Sequence, residues 1–408
     1  MKILFVHQNF PGQYLHLARH LGQHQHEVVF ITQRVEGELA GVRKIIYRPA
    51  RKVAASTHHY LRDTEAGVLN AQAVARVALD LKASGFVPDV MLAHNGWGEP
   101  WYLKDVFPDT PLIGYLEFFY HPQGVDVGFE AHDTLAFDTR PRLRMKNMGN
   151  LLALQAIDVG QTPTWWQRSL YPTEYRSRIQ VVHEGIDTAR IKPDDEAYVP
   201  IPGSDRRLTR ADEVVTYVAR NLEPYRGFPS FMKSLPAILE ARPQAQVLVV
   251  GGDDTSYGPK PAGGRHFREL ALDELSGRID LSRVHFMGKV PYATYQSVLQ
   301  VSRAHVYLTY PFVLSWSMLE AMAAGCVVVG SATPPVQEVI RDGENGWLVD
   351  FHDPAAIASR VVDVLARYGE QGPIRLAARR TIVDDYDLHT VCLPAQLQLI
   401  RTARQRWA

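Results

Sequence analysis

The sequence predicts an α/β protein made of two doubly wound, Rossmann-like parallel-sheet domains. Three observations carry this expectation. The chain has 408 residues, more than one typical core holds, so two domains of average size are the default. Short continuous apolar runs alternate with helical patterns, as strands buried on both faces of a parallel sheet require. The alternation then restarts at Val214, after a polar, proline-containing stretch from Ile191 to Asp212 that reads as a linker.

Taken in order, apolar runs at 2–6, 27–31, 89–93 and 112–116 read as strands, with helical patterns at about 12–22 and 68–84 between them. The second series has strands at Val214–Val218, 246–250, 283–286, 304–308 and 326–330, and helices near 227–241, 291–300 and 315–324. A last helical pattern runs from about 388 to 406. The expected division is a domain over 1–187, a second over 188–385, and a C-terminal helix over 386–408.

Apolar content of 46% and charged content of 22% are ordinary for a globular protein. Lys+Arg and Asp+Glu are both 44, so the formal net charge is zero. Nucleic acid is therefore not an expected partner, and peripheral membrane contact would need a local basic patch. Cys326 and Cys392 imply no disulfide framework. Met1–Val6 is too short for a signal peptide and ends in His7-Gln8-Asn9. No apolar run reaches about 18 residues, so no transmembrane helix is expected. A cytoplasmic enzyme is the default.

The segment from Ser315 to Gly330 carries the most chemistry. A loop at 311–315 enters a helix near Ser315, one carboxylate (Glu320) follows among small and apolar residues, and Gly325 can close the helix in the left-handed conformation. Unpaired N–H groups at Ser315, Trp316, Ser317 and Met318 suit a phosphate. Glu320 can accept hydrogen bonds from a ribose diol. Ser317–Gly330 resembles the C-terminal signature of family 4 glycosyltransferases, a retaining group with a GT-B fold. The resemblance implies two Rossmann-like domains facing a cleft, with the last helix crossing back to the N-terminal domain. It also implies that Glu320 is the second Glu of an E-x7-E motif and binds the donor ribose. Where the first Glu would contact the transferred sugar, this chain has Phe312.

A dehydrogenase would want Gly-x-Gly-x-x-Gly after strand one and an acid after strand two. This chain has a single glycine, Gly12, after Pro11, and Thr32-Gln33. Gly12 allows a close backbone approach at a helix start, and the resemblance places such a loop facing acceptor and donor phosphates. In the second series, Val214–Val218 leads to Ala219-Arg220-Asn221-Leu222-Glu223-Pro224-Tyr225-Arg226-Gly227. Two guanidiniums at the carboxyl edge of a sheet can clamp a diphosphate and offset charge on a departing nucleotide. The family has an Arg and a Lys here. Arg220 matches the first, and Arg226 replaces the Lys one residue later. By the same resemblance, Lys289 and Val290 in Phe286–Pro291 meet the base, and Glu184 in Val182–Asp187 takes the place of an Asn at the domain junction.

In the N-terminal half, Leu112–Leu116 runs into Glu117-Phe118-Phe119-Tyr120-His121. Many family members place a His after a central strand, facing the reacting centre. Glu117 and His121 are candidates for that role, and His94, beside Trp97, is a third. Trp97 and Tyr120 could stack on a sugar. No metal-ligand spacing is present, so neither metal nor cofactor is expected, and the nucleotide-diphosphate sugar is a substrate. The expected function is a retaining, metal-independent transfer of a hexosyl-type sugar to a hydroxyl acceptor, which could be a sugar or a lipid-linked sugar, in bacterial-type polysaccharide or glycoconjugate assembly. The alternatives are a non-catalytic nucleotide-sugar-binding partner, favoured by Phe312, and a GT-B nucleotide-sugar epimerase, for which no acid pair is evident.

Overall fold

The computed structural model describes residues 1–130, 136–201 and 203–405. Positions 406–408, the end of the expected C-terminal helix, lie outside them. The chain forms two compact units: Met1–Gly185 together with Leu388–Ala408, and Ile186–Asp387.

The first unit is built on β1 (Lys2–Val6), β2 (Glu27–Thr32), β3 (Val42–Ile46), β4 (Val90–His94), β5 (Leu112–Tyr115), β6 (Val159–Thr162) and β7 (Ile179–Val181). They form one parallel sheet in the order β3-β2-β1-β4-β5-β6-β7. Ile3, Leu4, Phe5 and Val6 are wholly inaccessible, so the run is apolar at every position and does not alternate. Strands β3, β6 and β7 are beyond those expected. β3 is an edge strand broken by Arg43 and Lys44, and β6 reads Val-Gly-Gln-Thr, so neither shows an apolar run. The helix Leu393–Gln405 adds Leu399, Ile400 and Ala403 to the core that holds Ile3, Phe5 and Leu17.

The second unit opens with a small antiparallel pair, β8 (Val199–Pro200) and β9 (Arg207–Leu208). Its parallel sheet contains β10 (Val214–Asn221), β11 (Gln246–Gly252), β12 (Val284–Gly288), β13 (Ala304–Tyr307), β14 (Val327–Ser331) and β15 (Trp347–Val349), ordered β12-β11-β10-β13-β14-β15. The stretch 191–212 is not a linker. Ile191, Ala197, Val199 and Leu208 are buried in this unit's core, and Arg210 donates to the carbonyls of Gln300 and Ala324 at 2.7 and 3.1 Å. Its few apolar residues are spaced too widely to read as core.

Strand order reverses between β1 and β4 in one unit and between β10 and β13 in the other. In open α/β sheets, ligands bind outside the carboxyl ends of the strands at such a point.

Candidate active site

In the second unit, Arg220 is exposed near the carboxyl end of β10. Arg226 follows on a single 3-10 turn, Pro224–Arg226, closed by Gly227 at φ 67°. A Cβ at Gly227 would meet the Leu308 side chain at 2.4 Å, so the turn needs glycine. Arg226 was expected as an open partner to Arg220, but it is buried. Its Nη1 donates to Thr309 Oγ1 at 2.8 Å, the Val313 carbonyl at 2.9 Å and the Tyr307 hydroxyl at 3.3 Å. The guanidinium therefore braces the 311–315 loop from beneath. Of the two arginines, Arg220 is the exposed one.

That loop enters the helix Trp316–Ala323, capped by Ser315. The N–H of Ser315 donates to the Tyr307 hydroxyl at 2.8 Å, and those of Ser317 and Met318 go to Ser315 Oγ and the Ser315 carbonyl, each at 3.3 Å. These groups were expected to face a phosphate unpaired. Those of Ser315, Ser317 and Met318 each have a partner inside the protein, the Ser317 N–H through the Ser315 side-chain cap and the other two through the Tyr307 hydroxyl and a backbone carbonyl. Ser317 Oγ also donates to Ser315 Oγ at 3.0 Å. Met318 is fully buried and Trp316 packs partly against the core.

Glu320 is half-buried and held on both oxygens. Oε1 accepts from the Tyr292 hydroxyl at 2.7 Å and Oε2 from the Tyr295 hydroxyl at 2.5 Å. Arg190 lies 4.4 Å over the Tyr292 ring. Burial raises the Glu320 carboxyl above its ordinary range, and the two tyrosine hydroxyls and Arg190 pull it back. Each oxygen keeps acceptor capacity for a further donor such as a ribose hydroxyl.

Phe312 lies edge-on to Tyr225 and Tyr257, with centroids at 5.5 and 4.9 Å. Glu223, fully buried at the same strand end, accepts from the N–H groups of Ser256 and Tyr257 at 2.8 and 2.9 Å and so ties down the loop after β11. Lys289 is exposed and pairs with Asp254 at 3.5 Å. Val290 packs against the core.

In the first unit, His7 is the first residue past β1. Its Nδ1 accepts from the Asn9 N–H at 2.9 Å, which leaves Nε2 to donate to Gln13 Oε1 at 2.6 Å. Gln13 Nε2 then donates to Glu117 Oε1 at 2.9 Å. Gly12, at φ 54°, makes room for this relay, since a Cβ there would lie 2.5 Å from His7 Nε2. His94 accepts from the Gly96 N–H at 3.0 Å and points Nε2 toward Glu117 Oε2, 3.8 Å away. The ring stacks between Trp97 and Tyr115. Burial lowers His7 to about 4 and also lowers His94, so both rings are neutral near pH 7.

Glu117, Trp97 and Tyr120 line a cavity of about 300 Å³ in this unit. His121 and Glu184 do not line it. His121 Nε2 donates to the Leu170 carbonyl at 2.7 Å. Glu184 is buried, accepts from the Tyr115 hydroxyl, and has His183 Nε2 at 3.5 Å. His121 is thus spent on that carbonyl instead of joining Glu117, and the Glu184 carboxylate is buried beside Tyr115 and His183. Cys326 and Cys392 are buried thiols. Among the described residues, no group of three or more His, Cys, Asp or Glu is placed to hold a metal. No helix among them is long and apolar enough to cross a membrane.

Two family models match this chain: "Glycosyl transferase family 4 group" over residues 24–191 and "Glycosyl transferases group 1" over residues 212–367. The chain belongs to the family 4, group 1 glycosyltransferases. Both of its sheets have the doubly wound GT-B form. Sucrose-phosphate synthase from Thermosynechococcus elongatus superposes with TM-score 0.74 at 16% identity, covering 100% of both chains. Anabaena HepE, solved with UDP and glucose, gives 0.69 at 15% identity, over 99% of this chain and 100% of that one. At such identities the likeness concerns fold alone.

Among curated family members, a D-inositol 3-phosphate glycosyltransferase of Mycolicibacterium vanbaalenii is 32% identical over 242 residues, 57% of this chain and 51% of its own. A phosphatidyl-myo-inositol mannosyltransferase of Mycobacterium tuberculosis is 30% identical over 190 residues, 45% of each chain. The chain spans about half the length of the curated relatives it matches. Within this family 4 chain, sequence reasoning passed over His7, Gln13 and Glu223. His7 had a readable signal, since it is the first polar residue after a buried strand at the expected ligand edge. Gln13 and Glu223 had none, because Glu117 on one side and Ser256 and Tyr257 on the other, the groups they orient or tie down, lie far away in sequence.

Proposed function

We propose that the protein is a retaining glycosyltransferase that moves a sugar from a nucleotide-diphosphate donor to a hydroxyl acceptor without a metal ion. One observation carries this reading. Glu320, oriented on both oxygens by Tyr292 and Tyr295, stands on the helix after β13, and Arg220 stands at the same edge of the sheet. A ribose diol and a diphosphate need that pair of groups. Arg220 would hold the diphosphate and offset its growing charge as the glycosidic bond breaks. Arg226 adds fixed positive charge from beneath the 311–315 loop, and Lys289 and Val290 border the base. In the first unit, Glu117, aimed by Gln13, would accept the hydrogen bond of the incoming hydroxyl. The leaving phosphate takes its proton on the same face of the sugar, so no protein nucleophile is needed.

The apolar packing of Phe312 supports a second reading, a non-catalytic nucleotide-sugar-binding protein. One experiment separates the two. Nucleotide release is followed with UDP- and GDP-sugars and an acceptor panel, with and without EDTA, and the product's anomeric configuration is read by NMR. Release that requires acceptor, survives EDTA and retains configuration is expected. Tight nucleotide binding with no release under any pairing would favour the second reading. An inverted product, or activity restored by a divalent ion after EDTA, would overturn the mechanism.

A further inference from the structure

The first α-helix, Leu15–Gln23, ends in a cluster of imidazoles that the transfer reaction does not use. His20 stands on this helix and His24 caps it one turn later. A four-residue spacing puts two side chains on one helix face, but in the sequence it reads as a solvated helix end. The structure makes the two rings a pair, stacked with centroids 4.0 Å apart and planes 27° from parallel. His24 Nδ1 lies 2.7 Å from the His20 carbonyl oxygen. That oxygen can only accept, so Nδ1 carries the proton and Nε2 keeps its lone pair. A ring N–H held by a backbone carbonyl is the arrangement that fixes a metal-ligating histidine in its tautomer. His24 is exposed and His20 half-buried, so an ion reaches the pair from solvent.

The surroundings set the kind of ion. Burial, then His24, His26 and His389, lower the His20 ring below its ordinary range, so near pH 7 it is neutral and keeps a nitrogen lone pair. The side chains that act on it are imidazoles. Nitrogen donors suit Cu²⁺, Ni²⁺ and Zn²⁺, whereas Mg²⁺ and Ca²⁺ want carboxylate and carbonyl oxygens. An ion about 2.0–2.1 Å from each of two nitrogens holds them roughly 3 Å apart. Rings whose centres are 4.0 Å apart reach that separation by side-chain rotation. Among the described residues no three such groups converge, so the pair itself is the chelate and water fills the other positions on the ion.

We infer that His20 and His24 form a chelating site for one divalent transition-metal ion of the copper, nickel and zinc class. Neither residue is among those assigned to donor or acceptor. The ion therefore takes no part in sugar transfer, and the site stands whether or not the transferase reading holds. The test uses the untagged full chain, stripped with EDTA and dialysed. Calorimetric titration with NiCl₂, ZnCl₂ and MgCl₂ should show one Ni²⁺ or Zn²⁺ per chain, with a Kd well below roughly 1 mM, and no heat from Mg²⁺. Bound Cu²⁺ should show nitrogen coupling from two imidazoles by electron paramagnetic resonance. His20→Gln and His24→Gln should each weaken Ni²⁺ binding roughly ten-fold or more and leave coupling from one imidazole. Both positions reach solvent, and circular dichroism checks that the variants fold. His58 and His59 supply the control, since they also stack, with centroids 4.5 Å apart, but are adjacent in sequence. His58→Gln should leave Ni²⁺ binding unaltered. Unaltered Ni²⁺ affinity in folded His20→Gln and His24→Gln would overturn the inference. An equal loss in His58→Gln would also overturn it, by showing adventitious binding to surface histidines. So would Mg²⁺ binding as tightly as Ni²⁺, or no Ni²⁺ or Zn²⁺ binding below roughly 1 mM.

Discussion

Arg226 donates to the carbonyl of Val313 across 2.9 Å, and this bond ties the turn after β10 to the loop that opens the Glu320 helix. A residue that the chain pattern presents as a ligand clamp is thus a brace beneath one.

Arg226→Ala should therefore cost stability as well as rate. It strands the Val313 carbonyl and the Thr309 hydroxyl in a buried site, at about 1–3 kcal/mol. It should lower kcat more than it raises the donor KM, because a displaced 311–315 loop and lost charge matter most as the diphosphate departs. Arg226→Lys should keep partial activity. Denaturant unfolding and steady-state kinetics decide together. A variant of unchanged stability and kcat would mean that Arg226 neither braces the 311–315 loop nor assists the departing diphosphate.

Glu320→Ala should weaken nucleotide binding by about 1.5–3 kcal/mol, the worth of a charge-assisted hydrogen bond. Glu320→Gln should recover part of it, since an amide still accepts from one hydroxyl. Calorimetric titration of UDP and GDP reads the effect. Equal affinities in wild type and Glu320→Ala would remove this carboxylate from the donor site.

Glu117→Gln should leave nucleotide affinity intact and slow transfer by roughly ten- to a hundred-fold, the worth of a charge-assisted hydrogen bond to the incoming hydroxyl. Gln13→Ala should act in the same direction with smaller effect, because it frees a carboxylate it only orients. Comparing sugar transfer with nucleotide titration distinguishes this from general damage, which would lower both.

Glu99 gives a pH prediction. It is fully buried, accepts from the Tyr47 hydroxyl at 2.7 Å, and burial raises its carboxyl from 4.5 to about 7. Between those values the folded chain keeps a proton that the unfolded chain has lost. Stability contributed by this group therefore falls as pH rises from 4.5 to about 7, by on the order of 3 kcal/mol. His7 works oppositely. Lowered from 6.5 to about 4, it contributes stability that is lost as pH falls through that window. Urea unfolding across pH 4–8 should show Glu99→Gln gaining stability relative to wild type as pH rises. A parallel pair of curves would mean that Glu99 titrates normally.

What could be read along the chain was whatever depends on neighbours in sequence. Strands buried on both faces must be apolar throughout, so β1, β2, β10 and β14 were evident from their composition. The Ser315 entry, the lone Glu320 and the Gly325 stop marked the helix Trp316–Ala323 by local rules. β3 and β6 escaped because an edge position or a polar side chain removes the run that betrays a strand. Arg226 and Glu117 show the other limit. The fate of Arg226 depends on Thr309 and Val313, more than 80 residues further on. Glu117 is aimed by Gln13, 104 residues earlier, while His121, its near neighbour in sequence, turns to Leu170. A side chain's charge and hydrogen-bonding capacity are properties of the residue. Whether that capacity is spent inside the protein or left open for a ligand is decided by which distant polar groups, side chain or backbone, the fold brings within about 3 Å.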